Sequence, residues 1–265
     1  MPDCVTHYQF GQDVFERLDE DLKSCVLAYK REYDTGLQGP DIFFFYKPYR
    51  RNDTVKYGHG WHEKPGVRMF GPLSEAAREG AALSYLTGLV CHYALDSSCH
   101  PYVYEHSLGP YDHTLMEAAY DRHIMLRHGL AKARTEYLHT GQMDFDSMAS
   151  LWPGMSAERI RHCVKDQRFY KRFLDDRRNF LLFLDSVAGK RGMFSSMSLP
   201  DEISEEQQEH GRHLDELYLK ALQECPRLIS QVCGAGEAQN RMQNFEGGQL
   251  QGFDRNYKGE YCDGT

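Results

Sequence analysis

Apolar residues along this chain recur at intervals of three and four, and almost nowhere at intervals of two. Phe10, Val14, Leu18 and Leu22 follow the spacing of one helix face. A chain with so little strand-period alternation is expected to be all-α. At 265 residues, 41% of them hydrophobic, it can bury one sizeable core. The expected organisation is a single-domain multi-helix bundle over residues 1–235 and an irregular tail, rich in Gly, Asn and Gln, over 236–265.

Breaks in the pattern place the helices. A first helix is expected within about 6–33, ending near Thr35-Gly36 with Gly39-Pro40 beyond. Residues 41–72 carry many turn formers and read as a loop. A second helix should start after Leu73, with Ser74 as N-cap, and end at His100, because Pro101 disfavours helical geometry in its predecessor. A third, capped by Asp112, covers about 113–138. A fourth covers about 156–188 with a kink near Asp175. The last follows Ser204 over about 205–233.

Bulk properties restrict how partners can bind. The formal net charge of −8 gives no global attraction for nucleic acid or anionic membranes, so such contacts need a local patch. The longest uncharged stretch, Gly80 to Leu95 (GAALSYLTGLVCHYAL), is too short to span a bilayer, so no transmembrane segment is expected. The start, MPDCVTHYQFGQDVFERLDE, has neither a basic nor an apolar signal region, which points to a cytoplasmic protein. Eight scattered cysteines without a CxxC pair fit reduced, packed thiols, Cys99 among them.

The chemistry concentrates in HYALDSSCHPY and HTLME. His92, Asp96 and His100 lie four residues apart in turn, and His113 and Glu117 repeat the spacing. Residues four apart share a helix face, so each pair can converge on one ion. Imidazole and carboxylate are ligands that catalytic zinc commonly takes. One such pair is usually a polar surface feature. Two pairs with His100 between them favour metal, and His92 sits in an apolar helix where an unpartnered polar group is costly.

These motifs resemble those of the zinc-dependent phospholipase C family, which is related to the S1/P1 nucleases. The same order continues upstream: His7 in THYQFG, Asp41 in GPDIFFFY, and His62 (or His59) in YGHGWHE. The resemblance spans about residues 1–125 and implies that family's all-α helical fold. It implies a first zinc held by Asp41, His62, His92 and Asp96, and a second held by His100, His113 and Glu117. A third would share Asp96 and add His7. Two zincs are expected, and the third is open, because the secreted relatives complete it with a mature N-terminal Trp where this chain has Met1-Pro2. With Met1 removed, the Pro2 amine and carbonyl could form a chelate in its place. Glu117, rather than Asp, leans towards the phospholipases.

The implied activity is hydrolysis of a small-molecule or lipid phosphodiester by zinc-bound hydroxide, with Asp41 orienting or deprotonating the water. The alternatives are an S1/P1-like nuclease and a non-catalytic metal-stabilised binding module. Other features read as structural. The basic, aromatic segment 161–178 is expected to be an ordinary exposed face. The basic loop 47–68 could hold a phosphate, or be merely solvated. Glu136 and His139 form one ExxH with no second copy. His106, His123, His128, His162, His210 and His213 are expected on helix surfaces.

Overall fold

The computed structural model describes residues 3–130, 133–234 and 252–262. These form eleven α-helices and no strand. In chain order they are α1 (Cys4–Phe15), α2 (Glu20–Ala28), α3 (Lys30–Gly36), α4 (Asp53–His62), α5 (Gly66–Ala76), α6 (Gly80–Glu105), α7 (Pro110–His128), α8 (Phe145–Ser150), α9 (Ala157–Asp176), α10 (Arg178–Ala188) and α11 (Glu205–Cys233). A 3-10 segment spans Gly39–Phe45 and another Arg134–Tyr137. The chain is all-α, as expected.

α6 is the axis of the fold. Its uncharged stretch has no polar face to turn outward, so it is buried nearly all round. It packs mainly against α11 and α3, and also against α1 and α2. Gly36 and Gly88 let α3 and α6 touch backbone to backbone; a Cβ at Gly88 would lie 2.3 Å from the Tyr33 carbonyl oxygen. One continuous apolar core runs from Phe10 through α6 and α11 to Phe253 and Tyr257.

Several boundaries differ from those expected. The first helix is three: Asp19 caps α2 by accepting the Leu22 N–H, and Tyr29, outside helical geometry, separates α2 from α3. Segment 41–72 is largely helical, because Asn52 caps α4 by accepting the Val55 N–H at 3.0 Å. Ser74 lies inside α5, where its hydroxyl donates to the Gly71 carbonyl, and the next helix starts at Gly80. α6 continues through Pro101 to Glu105, so His92, Asp96 and His100 keep one helical register. α7 starts from Gly109 rather than Asp112 and stops at Gly129, whose left-handed backbone (φ 61°) suits only glycine readily. The long fourth helix breaks at Arg177, close to the expected kink. α11 starts from Ser204 with a full capping box to Gln207.

A charge network closes the N-terminal end. Arg134 is fully buried and pairs with Asp3 and Asp175, while Lys171 also pairs with Asp3. Lys171 and Arg168 therefore depart from the exposed face expected of 161–178; Arg168 donates to the carbonyls of Thr135 and Leu138. His123 departs from the expected surface role, pairing with Asp215, and His139 of the lone ExxH pairs with Asp34.

Candidate metal centre

Four elements converge on the polar row of α6. α1 brings His7, the 3-10 segment brings Asp41, α4 ends on His62, and α7 brings His113 and Glu117. Three groups of ligand atoms result. His7, His92 and Asp96 form the first; Asp41, His62 and His92 the second; His100, His113 and Glu117 the third. His92 thus joins two groups, and all eight residues singled out in the sequence meet in one region. Asp96, which the resemblance shares between two ions, lies with His7 and His92, while Asp41 lies with His62 and His92.

The imidazoles are held from behind. His62 Nδ1 pairs with the Gly58 carbonyl at 2.9 Å, His92 Nδ1 with the Leu37 carbonyl at 3.0 Å, and His100 Nδ1 with the Tyr257 carbonyl. A carbonyl only accepts, so each Nδ1 carries a proton, which leaves Nε2 as the nitrogen that can ligate when the ring is neutral. Such backing by backbone carbonyls is what metal-ligating histidines generally show. The freed Nε2 atoms face carboxylates: His62 Nε2 is 2.9 Å from Asp41 Oδ1, and His92 Nε2 is 3.1 Å from Asp96 Oδ2 and 4.0 Å from Asp41 Oδ1. His7 Nε2 lies 3.1 Å from Asp96 Oδ1, and its ring stacks on His92 at 4.0 Å. His113 Nε2 meets Glu117 Oε1.

Several of these atoms do not form hydrogen bonds despite full burial. Among the described residues, both nitrogens of His7, Nε2 of His92 and both oxygens of Asp96 lack a hydrogen-bond partner. Orphaned buried polar atoms cost on the order of 1–3 kcal/mol each. Their separation suits a shared ion: two ligands about 2 Å from a tetrahedral zinc lie about 3.3 Å apart. The residues present therefore fit a metal.

At His7, His100, His113 and Asp96 protonation agrees with ligation. Burial lowers the pKa of His7 and His100, and brings His113 down to about 3. All three stay in the neutral, ligating form. Burial alone would raise the Asp96 pKa, but His92, His100 and His7 around it hold the carboxyl well below the usual range. Burial opposes charge on His92 as well, and there Asp96 and Asp41 outweigh it and raise the pKa.

Gly39 makes room for this packing. Its φ is +56°, and a Cβ there would lie 2.2 Å from the His92 ring. Beside the centre is a cavity of about 290 Å³, lined by Asp41, His62, His100, His113 and Glu117 on one side. Phe44, Phe45, Tyr104 and Lys171 contribute other walls. His59, the alternative to His62, is exposed, lines the cavity mouth and lies outside the three ligand groups. A fourth group, Asp3, Cys4 and Asp121, serves structure: Asp121 accepts the Val5 and Thr6 N–H groups and the Thr6 hydroxyl, fastening α1 to α7. Tyr257 was not among the residues singled out, and a backbone acceptor leaves no side-chain signature. Pro2 lies outside the described residues.

The model of the zinc-dependent phospholipase C family matches residues 6–176, well over half of the chain, and the protein belongs to that family. No curated protein and no solved structure matches it significantly. No helix of the described residues is long and apolar enough to cross a membrane.

Proposed function

We propose that this protein hydrolyses phosphodiesters in the manner of a phospholipase C, with His7, Asp41, His62, His92, Asp96, His100, His113 and Glu117 holding two zinc ions and offering ligands for a third. The observation that carries the reading is the arrangement around His62, His92 and His100. Backbone carbonyls hold each Nδ1, Nε2 of His62 lies 2.9 Å from Asp41 and that of His92 3.1 Å from Asp96, and His62 and His100 line the adjoining cavity. Zinc bound there supplies a Lewis acid for the phosphoryl oxygens and lowers the pKa of water.

The chain's own residues divide the remaining work. Asp96, sealed from solvent, supplies negative charge that offsets the metal's. Asp41 sits where the buried cluster meets the cavity, with one oxygen 2.9 Å from His62 Nε2. From there its carboxylate can orient a water and accept its proton. Phe44, Phe45 and Tyr104 exclude bulk water from that wall, which strengthens each electrostatic contact inside. The cavity, at about 290 Å³, is at the small end of ligand sites and suits a phosphate with a compact head group.

The test is metal content together with turnover. The purified protein should hold two or more equivalents of zinc and hydrolyse a chromogenic phosphodiester, and Asp41→Asn should lose turnover and weaken zinc binding at the Asp41, His62 and His92 group while the His100, His113 and Glu117 group keeps its ion. Zinc without turnover on phosphodiesters, phospholipids or single-stranded nucleic acid would leave a metal-stabilised binding module. Turnover confined to nucleic acid would make it a nuclease.

A further inference from the structure

A cavity of that size leaves the acyl part of a phospholipid outside, and the surface beside it is strongly apolar. α10 is held by one face only. Leu181 and Asp185, four residues apart, are buried, and the Asp185 carboxylate accepts the N–H groups of Gly192 and Phe194 and the Ser195 hydroxyl. The opposite face carries Phe180, Phe183 and Val187 at i, i+3 and i+7, respectively 57%, 61% and 70% exposed. Phe169 and Phe173 of α9, stacked on each other, are exposed too. So are Met193, Phe194 and Met197, which follow α10 in the chain. Exposed apolar surface this concentrated marks an interaction site.

Charge indicates the partner. Residues 157–197 hold ten Lys/Arg against five Asp/Glu, net +5, which leaves −13 on the rest of the chain. Lys190 and Arg191 follow α10 directly and are exposed, and the Arg177 guanidinium lies over the Phe173 ring. An apolar helix face flanked by cations is the pattern of a helix lying in a lipid interface. It disfavours a second copy of this chain, because a two-fold contact would bring the cationic flanks together. The surface also adjoins the site: Lys171 of α9 and Met197 both line the cavity. The family match ends at residue 176, so α10 and the 193–197 loop lie beyond it.

We propose that the exposed face of α10, together with Phe169, Phe173 and Met197, docks on anionic phospholipid bilayers, with α10 in the head-group layer and the cavity beside it. The inference rests on the phosphodiesterase reading for its purpose, but not for its test. Zinc-loaded protein is mixed with vesicles of phosphatidylcholine and phosphatidylserine in equal amounts, or of phosphatidylcholine alone, and bound protein is measured by flotation. The mixed vesicles should retain it, and 0.5 M salt should release most of it. Phe180→Ser/Phe183→Ser should weaken binding about tenfold or more. Lys190→Ala/Arg191→Ala should weaken it about tenfold, on the anionic vesicles only. Both pairs replace exposed residues, so the melting temperature and the hydrolysis of a water-soluble phosphodiester should stay as in the parent.

Absence of binding to the anionic vesicles overturns the proposal. So does binding that neither pair weakens, or a wild-type dimer that Phe180→Ser/Phe183→Ser dissociates without any lipid binding. Vesicle binding with no phosphodiester hydrolysed would instead overturn the enzymatic reading and leave the docking surface standing.

Discussion

Two histidine clusters gather along α6, one around its middle and one at its C-terminal end against α11, and they behave as opposites. In one, His92 and His100 of α6 are buried, tied at Nδ1 to backbone carbonyls and accompanied by carboxylates. In the other, near the end of α6, Tyr102 stacks on His106 at 4.0 Å and on His213 at 4.2 Å, and its hydroxyl pairs with His210 Nδ1 at 2.8 Å. The second cluster gathers three imidazoles but satisfies itself with a tyrosine, near solvent. Histidine density therefore does not mark a metal centre. Buried imidazoles held from behind and turned towards acid groups do.

Replacement of ligands should separate the two clusters most sharply. Asp96→Ala or His92→Ala should lose zinc and about a thousandfold or more of turnover, and should cost about 3–5 kcal/mol by stranding buried charge. Zinc analysis, hydrolysis and thermal melting report the three effects. Retained zinc and activity would dissolve the distinction. Chelation comes next: removing a ligand present at about a hundred times its Kd costs about 2.7 kcal/mol. In a chain of this size that lowers Tm by about 5–10 °C. An unchanged Tm would mean the buried cluster closes without metal.

Gly39→Ala tests the packing around the first cluster rather than its ligands. The added methyl would collide with the His92 ring, and activity should fall about 10–100-fold, as when an imidazole's supporting contacts are lost. Full activity would show that the His92 orientation tolerates displacement.

The pH dependence of the metal-free protein sharpens the contrast in burial. Below about pH 6.5 the unfolded chain protonates His7, His100 and His113, whereas the folded chain keeps them neutral, His113 down to about 3. Protons then favour the unfolded state, so this stability is present above pH 6.5 and is lost as pH falls towards 3. Asp121, which burial and the nearby Asp3 push up to about 7, works the other way, and its contribution is lost as pH rises through 7. Melting of chelated protein should peak near neutrality and drop by several degrees at pH 5. A flat profile would contradict the burial of these groups. The smallest effect belongs to the second cluster: His106→Ala should change turnover less than about twofold and stability by under about 1 kcal/mol.

The long helices were legible because their spacing and caps agree, as with Ser204 and Gln207 in α11. The ligand row on α6 was legible because four-residue spacing is local geometry. Segment 41–72 was misread: Gly58 and Gly60, ordinarily turn formers, are carried inside α4, which Asn52 caps and where Gly58 lies close against Phe43 and Phe44. Pro101 misled for a related reason, since a surrounding core can hold a helix through a residue that locally disfavours it. Lys171 and Arg134 look like surface residues in sequence, and their burial depends on Asp3, more than a hundred residues away.

One feature of the His100 site bears on how the protein comes into being. The acceptor for His100 Nδ1 belongs to Tyr257, while His7 lies close to the opposite end of the chain. During synthesis α1, α6 and α7 can associate as they emerge, yet His100 lacks its restraint until translation has passed Tyr257. A nascent chain would thus carry its ligands without the finished grip on them.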